Sequence, residues 1–256
     1  MTTLELRRVS KSYLSIPAVQ DVSFTVQGGE ATGYLGPNGS GKSTTLKMIT
    51  GLIQPDGGEI LLDGESIARD PIGVKNRIGY VPEEAHLYTH LSGSEHLHMI
   101  GQLRGLSEAE ARHKADGFLA LFNLAGDRHA PIAAYSKGMR QKVLLAAALL
   151  HNPDVLLFDE PFTGLDVNSA LILRDLISRL AQAGKLVLFS SHELDTVERV
   201  CSRVIILHKG RVAADDSTAR LRELTAAPDL ESVFAQLAVD QDPAEVTSGM
   251  LELMMG

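Results

Sequence analysis

The run GPNGSGKS, residues 36–43, limits what this chain can fold into more than any other feature. It fits G-x-x-x-x-G-K-[ST], a pattern that arises by chance in roughly one chain in a hundred of this length. Its flanks are the ones the pattern needs. ATGYL (31–35) reads as a strand leading in, and KSTTLKMIT (42–50) as a helix leading out to a terminating glycine, Gly51. Gly39 and Gly41 let backbone N–H groups turn inward around a β-phosphate. Lys42 is long enough to reach β- and γ-phosphates, and the Ser43 hydroxyl suits Mg²⁺.

Other β-rich runs are LELRRV (4–9), VSFTV (22–26), GEILLDG (58–64), RIGYV (77–81), DVLLFDE (154–160), KLVLFSS (185–191) and RVIILH (203–208). The last three are almost wholly apolar, as strands covered on both faces of a parallel sheet are, and helical pattern separates them. The first four runs of the chain, ATGYL among them, alternate more and are joined by glycine-rich turns, which predicts a small antiparallel sheet. Between residues 88 and 150 the strand signal vanishes. SGSE (92–95) and SEAE (107–110) there read as capping boxes, so this segment is expected to be an all-helical insert. After residue 216 comes an acidic, alanine-rich tail with one amphipathic piece, LESVFAQLA (230–238). The segment 240–256 is expected to pack weakly.

VLLFDE (155–160) supplies a second half for the phosphate cradle. Its apolar residues form a buried strand, and two carboxylates emerge at the carboxyl end, where α/β sheets bind ligands. Asp159 suits a hard cation that takes oxygen ligands, and Glu160 suits polarisation of an attacking water. SSHE (190–193) ends the next apolar strand, from which His192 could reach a γ-phosphate. YSKGMRQK (135–142) opens a third helix of the insert, with Ser136 as N-cap and no acid in the first turn. A helix N-terminus carries unpaired N–H groups and partial positive charge, so leaving it free of acids points to an outside anion.

Composition narrows the classes. The chain has 256 residues, 44% of them hydrophobic, enough for one large domain or a core with a smaller lobe. A net charge of −8 argues against a nucleic-acid coat or a polybasic membrane anchor. Cys201 is the sole cysteine, so an internal disulfide is impossible and a reducing cytosol is the expected setting. The N-terminus lacks the apolar core of a signal peptide, and no stretch approaches the roughly 20 apolar residues of a membrane helix.

In the order GPNGSGKST, YSKGMRQK, LLFDEP, GLD and SSH, the chain resembles the nucleotide-binding subunit of an ABC transporter over about residues 3–238. That resemblance implies an α/β fold: a P-loop NTPase (RecA-like) core with a small antiparallel β-subdomain and an all-helical insert carrying the signature motif. The core would comprise residues 1–87 and 150–217, the insert 88–149, and a helical tail 218–256. Nucleotide contacts would come from Gly36, Pro37, Asn38, Gly39, Ser40, Gly41, Lys42, Ser43 and Thr44, with Tyr13 stacking on adenine in place of merely packing a strand. Ser136 and Gly138 match the signature, which in this family binds the γ-phosphate of ATP held by the opposing subunit. Lys137 and Met139 depart from its commonest form. Asp166 matches the loop that crosses the dimer interface, with Thr163 and Gly164 where Ser and Ala are more usual.

The resemblance also assigns chemistry. Ser43, Asp159 and Glu83 would hold Mg²⁺. Lys42, Glu160, His192 and Glu83 would act on the γ-phosphate and the lytic water, Glu83 replacing the usual glutamine. With the SKGM signature and LESVF tail, Glu83 points to the branch that exports drugs, antibiotics, sodium or lipids through a separate membrane permease. The expected assembly is a homodimer, cytoplasmic and peripheral to the inner face of the membrane through the permease. The alternative is a soluble ABC-type ATPase acting on ribosomes or DNA, but such chains typically carry two cassettes, a zinc insert or a long coiled coil. A GTP switch would need an N-K-x-D motif, which is missing. His86, His90, His96 and His98 have spacings that could ligate zinc, yet are read as polar surface residues where the helical lobe meets the permease.

Overall fold

Alternate residues of the buried strands face two different cores. The computed structural model describes residues 1–84, 86–238 and 243–255. Strands β1 (Thr3–Tyr13), β2 (Ile16–Gln27), β3 (Ala31–Leu35), β4 (Gly57–Leu62), β5 (Glu65–Ser66), β6 (Ile78–Val81), β7 (Val155–Phe158), β8 (Leu186–Ser190), β9 (Arg203–His208) and β10 (Arg211–Ser217) form two sheets. One is antiparallel in the order β2-β1-β4-β5, and the other runs β10-β9-β3-β8-β7-β6. In the larger sheet β6, β7, β8, β3 and β9 are parallel, and β10 is antiparallel to β9. Val155, Leu157, Leu186 and Leu188 pack with Met48 and Ile49 of helix α1 (Lys42–Ile49) and with the antiparallel sheet. Leu156, Phe158, Val187 and Phe189 face the opposite core, with Leu173 and Ile177 of helix α6 (Val167–Gln182) and Val197 of helix α7 (Leu194–Val200). Because both faces are covered, these runs lack polar alternation.

Two sequence expectations are corrected here. ATGYL does not join the antiparallel sheet: as β3 it lies between β8 and β9, all five residues buried. The threonine and glycine that suggested alternation are themselves enclosed by the two cores. The strand β10, RVAADDS, was not expected, because an edge strand with one exposed side carries polar residues such as Asp215 and Asp216. β1 and β2 also extend toward each other beyond the expected runs. They meet in a two-residue turn, with Leu14 and Ser15 at φ 47° and 68° and Tyr13 paired with Ile16. Both turn residues occupy the region that such hairpins require, without the usual Asn-Gly signal.

The segment after β6 is helical as expected. A short helix α2 (Pro71–Arg77) precedes β6, and α3 (Gly93–Leu103), α4 (Glu108–Leu121) and α5 (Lys137–Leu149) follow it. Both capping boxes form. The Ser92 hydroxyl accepts from the Glu95 N–H while Glu95 accepts from the Ser92 N–H, and Ser107 and Glu110 do the same. Leu97, Leu119, Ile132, Tyr135 and Val143 make a separate apolar core. His96 is buried in this lobe, 3% exposed, with Tyr88 6.0 Å away between ring centres, and His98 is half-buried. The surface reading therefore fails for His96, which its helix turns inward, whereas His98, two residues on and on another face, lines an open pocket with Glu95 and Arg128. His86 and His90 are exposed. Among the described residues no group of three or more His, Cys, Asp or Glu is arranged to hold a metal ion.

Helices α8 (Thr218–Thr225), α9 (Leu230–Ala238) and α10 (Pro243–Met255) end the chain. Leu230 and Val233 of α9 are fully buried, whereas Met250, Leu251, Leu253, Met254 and Met255 of α10 are exposed. Among the described residues no helix is long and apolar enough to cross a membrane.

Candidate functional site

β3 ends at Leu35 and α1 begins at Lys42, so the loop between them lies at the carboxyl end of the parallel sheet, where α/β folds bind ligands. Gly39 and Gly41 have φ 78° and 104°, which turns successive N–H groups toward one side. Gly41 is also sterically required, since a Cβ there would meet the Ala18 carbonyl oxygen at 2.5 Å. The loop lines a cavity of about 410 Å³ together with Tyr13, Ala18, Lys42, Ser43, Thr44, Glu83, Asp159 and Glu160. Tyr13, 47% exposed, stands at its edge because the β1–β2 turn projects there. Of the expected phosphate, metal and adenine residues, Tyr13, those at 38–44, Glu83, Asp159 and Glu160 are thus brought together from four separate stretches of chain, whereas Gly36, Pro37 and His192 do not line the cavity.

Lys42 is 8% exposed, and its Nζ donates to the carbonyls of Gly36 (2.6 Å) and Pro37 (3.3 Å). Burial pulls its pKa below the ordinary lysine value, opposed by the negative fields of Glu160, Asp159 and Glu83. A buried ammonium beside three carboxylates and a ring of inward N–H groups is suited to an anion that brings a divalent cation with it.

β7 stops at Phe158, and both acids lie in the turn just beyond it. Asp159 is 1% exposed. Its Oδ1 accepts from the Ser190 hydroxyl at 2.6 Å, and its Oδ2 is buried without a protein partner. Glu160 has a left-handed backbone, φ 49°, and its Oε2 lies 2.7 Å from Nδ1 of His192. His192 is therefore directed at Glu160 and is itself largely exposed. Ser190 is a residue the sequence reading passed over. Its one signal was its place in SSHE, one strand over from Asp159 in the parallel register.

Ser136, Gly138 and Asp166 do not line this cavity. Ser136 caps α5, its Oγ accepting from the Met139 N–H at 3.2 Å, and the first turn contains no acid. The loop 161–166 lies against the start of this helix. Gln141 donates to the Pro161 carbonyl at 3.0 Å, and Lys142 reaches Asp166 at 3.5 Å. Asp166 caps α6, accepting from the Ser169 hydroxyl and N–H, and these bonds hold its pKa at about 2. Gly164 has φ 80°, and a Cβ there would press on the methylenes of Lys137 at 3.0–3.2 Å. The departures at 137 and 164 thus belong together, a long stem lying over a residue with no side chain.

Comparison with known proteins decides the family. A family model described as ABC transporter matches residues 19–163. The ABC transporter ATP-binding protein NatA of Bacillus subtilis is 39% identical over 89% of this chain and 93% of its own length. The chain belongs to the ABC transporter family. It is an ATP-binding subunit of that family and an ATPase. The Nod factor export ATP-binding protein I of Paraburkholderia xenovorans is 35% identical, covering 90% of this chain and 76% of that protein. A solved dimeric structure of the cassette MJ0796 in a post-hydrolysis state, bound to ADP and Pi, superposes with a TM-score of 0.78 at 27% identity, covering 84% of this chain and 98% of that one. The ABC-cassette fold expected from the sequence is therefore the fold observed. The ribosome or DNA alternative has no support among these relatives.

Proposed function

We propose that the chain is the ATP-hydrolysing subunit of an exporter, working as a homodimer on a separate membrane permease. The observation that carries the reading is that Ser136 and Gly138, at an acid-free helix start, lie outside the cavity built by their own chain. A cassette of the same family that is dimeric in a state bound to ADP and Pi suggests the anion for that helix start: the γ-phosphate of ATP in the other copy. Export is supported by the Nod factor relative and by the departures at Glu83 and Lys137. The chain would sit at the inner face of the membrane through the permease, and the permease would choose the cargo.

Within each cavity the roles follow chemistry. Tyr13 stacks on adenine, the 36–44 loop receives the phosphates, and Lys42 offsets their charge. The residues present fit Mg²⁺, because Asp159 Oδ2 is a buried carboxylate oxygen with no protein partner and Ser43 and Glu83 share its cavity. Bound there, the ion would supply charge neutralisation on the β- and γ-phosphates. Glu160 polarises the attacking water, and His192 holds its carboxylate from the next strand end. The divisions 1–87 with 150–217, 88–149 and 218–256 are proposed as the corresponding working parts. Steady-state hydrolysis tests the assignment. Glu160→Gln should bind ATP like the parent and lose about 10²–10⁴-fold in turnover. Retention of more than a tenth of the activity would remove Glu160 from its role.

A further inference from the structure

Ser190 is fully buried at the end of β8, and its single hydroxyl serves both acids of the neighbouring strand end. Its Oγ donates to Asp159 Oδ1 at 2.6 Å and accepts from the Glu160 N–H at 2.9 Å. One donor proton and a lone pair are thereby used as a hydroxyl allows. The parallel register pairs Phe158 with Phe189, so the residues that follow, Asp159 and Ser190, are adjacent without any loop between them. Two consequences follow. Asp159 is held by Oδ1, leaving Oδ2 as its one unpartnered oxygen. The Glu160 N–H is satisfied in a backbone state, φ 49°, that a glutamate does not favour.

We propose that Ser190 is a positioning residue that orients Asp159 toward the metal and fixes the backbone from which Glu160 reaches the water. The proposal rests on the roles given above to those two acids. It assigns Ser190 no contact with nucleotide. Groups that orient a metal-binding carboxylate typically alter metal affinity or activity 10–100-fold when removed.

The test is Mg²⁺ titration of binding of a fluorescent ATP analogue to the full chain, beside melting temperature and ATPase rate. Ser190→Ala should bind the analogue in EDTA as the parent does, while the Mg²⁺ midpoint rises about tenfold or more and turnover falls by a similar factor. Ser190→Thr, which keeps the hydroxyl, should recover most of both. Asp159→Asn should shift the midpoint on its own, and adding Ser190→Ala to it should shift the midpoint no further, since Ser190 acts on the metal through Asp159. A parental midpoint in Ser190→Ala, or a full additional shift in the double variant, would overturn the proposal. If Asp159→Asn leaves the midpoint unmoved, the metal assignment fails first and the role of Ser190 falls with it.

Discussion

His151 follows Leu150, the C-cap of α5, with Nε2 3.2 Å from the Ile78 carbonyl oxygen. Burial, helped by the positive fields of Arg104, Lys114 and Lys185, lowers its pKa to about 4. The folded chain therefore keeps it neutral where the unfolded chain, at about 6.5, already binds a proton. The sign is fixed by that order: stability from this group is present above about pH 6.5, falls as pH drops toward 4, and changes no further below. The amount withdrawn is about 1–3 kcal/mol. His151→Gln can still donate to Ile78 but does not titrate. Urea unfolding at neutral pH and near pH 4.5 should show a smaller loss for the variant, and equal losses would locate the acid sensitivity elsewhere. Glu83 gives a second residue-scale expectation. As an exposed carboxylate in the nucleotide cavity, it should yield to Glu83→Gln with ATPase largely kept but its Mg²⁺ dependence shifted, and to Glu83→Ala with a larger loss. Three identical Mg²⁺ titrations would remove Glu83 from the metal site. Lys42, Asp159 and Glu160 were legible in the sequence because their chemistry forces type and spacing. Ser190 was not, because its partners come from another strand, and the Lys137–Gly164 fit was not, because it joins a helix start to a loop distant in sequence.

Among the elements, buried strands and capped helices announced themselves, and edge or hairpin pieces did not. β7, β8 and β9 were apolar because both faces are covered, and α3 and α4 carried reciprocal caps in four letters each. β10 was hidden by its exposed face, and the β1–β2 turn by non-glycine residues in left-handed conformations. The tail divides the same way. α9 fixes Leu230 and Val233 in the core that includes Val197 and Ile206, whereas the described side chains of α10 lie in solvent. Leu230→Ala should therefore cost about 2–5 kcal/mol, lowering the melting temperature by roughly 5–15 °C in a chain of this size. Removing residues 240–256, of which 240–242 and 256 lie outside the described residues, should leave ATP binding intact and shift melting by no more than a few degrees. A drop as large as that of Leu230→Ala would show that the terminal segment belongs to the core.

At the scale of the whole molecule, the proposed dimer gives each chain two unlike ends of one phosphate site. The cradle with Lys42 is one end, and the acid-free start of α5 is the other, joined to loop 161–166 by Gln141 and Lys142. The central claim is that these ends meet only between copies. In Glu160→Gln, ATP stays unspent, so sizing chromatography with labelled nucleotide should show a stable dimer in Mg-ATP and a monomer in ADP. Adding Ser136→Glu sets a fixed acid at the helix start, where it repels the incoming phosphate. The account predicts that the dimer then disappears while each monomer still binds ATP through its own cradle. Loss of ATP binding by the monomeric double variant would contradict it, because the helix would then be reading its own chain's phosphate.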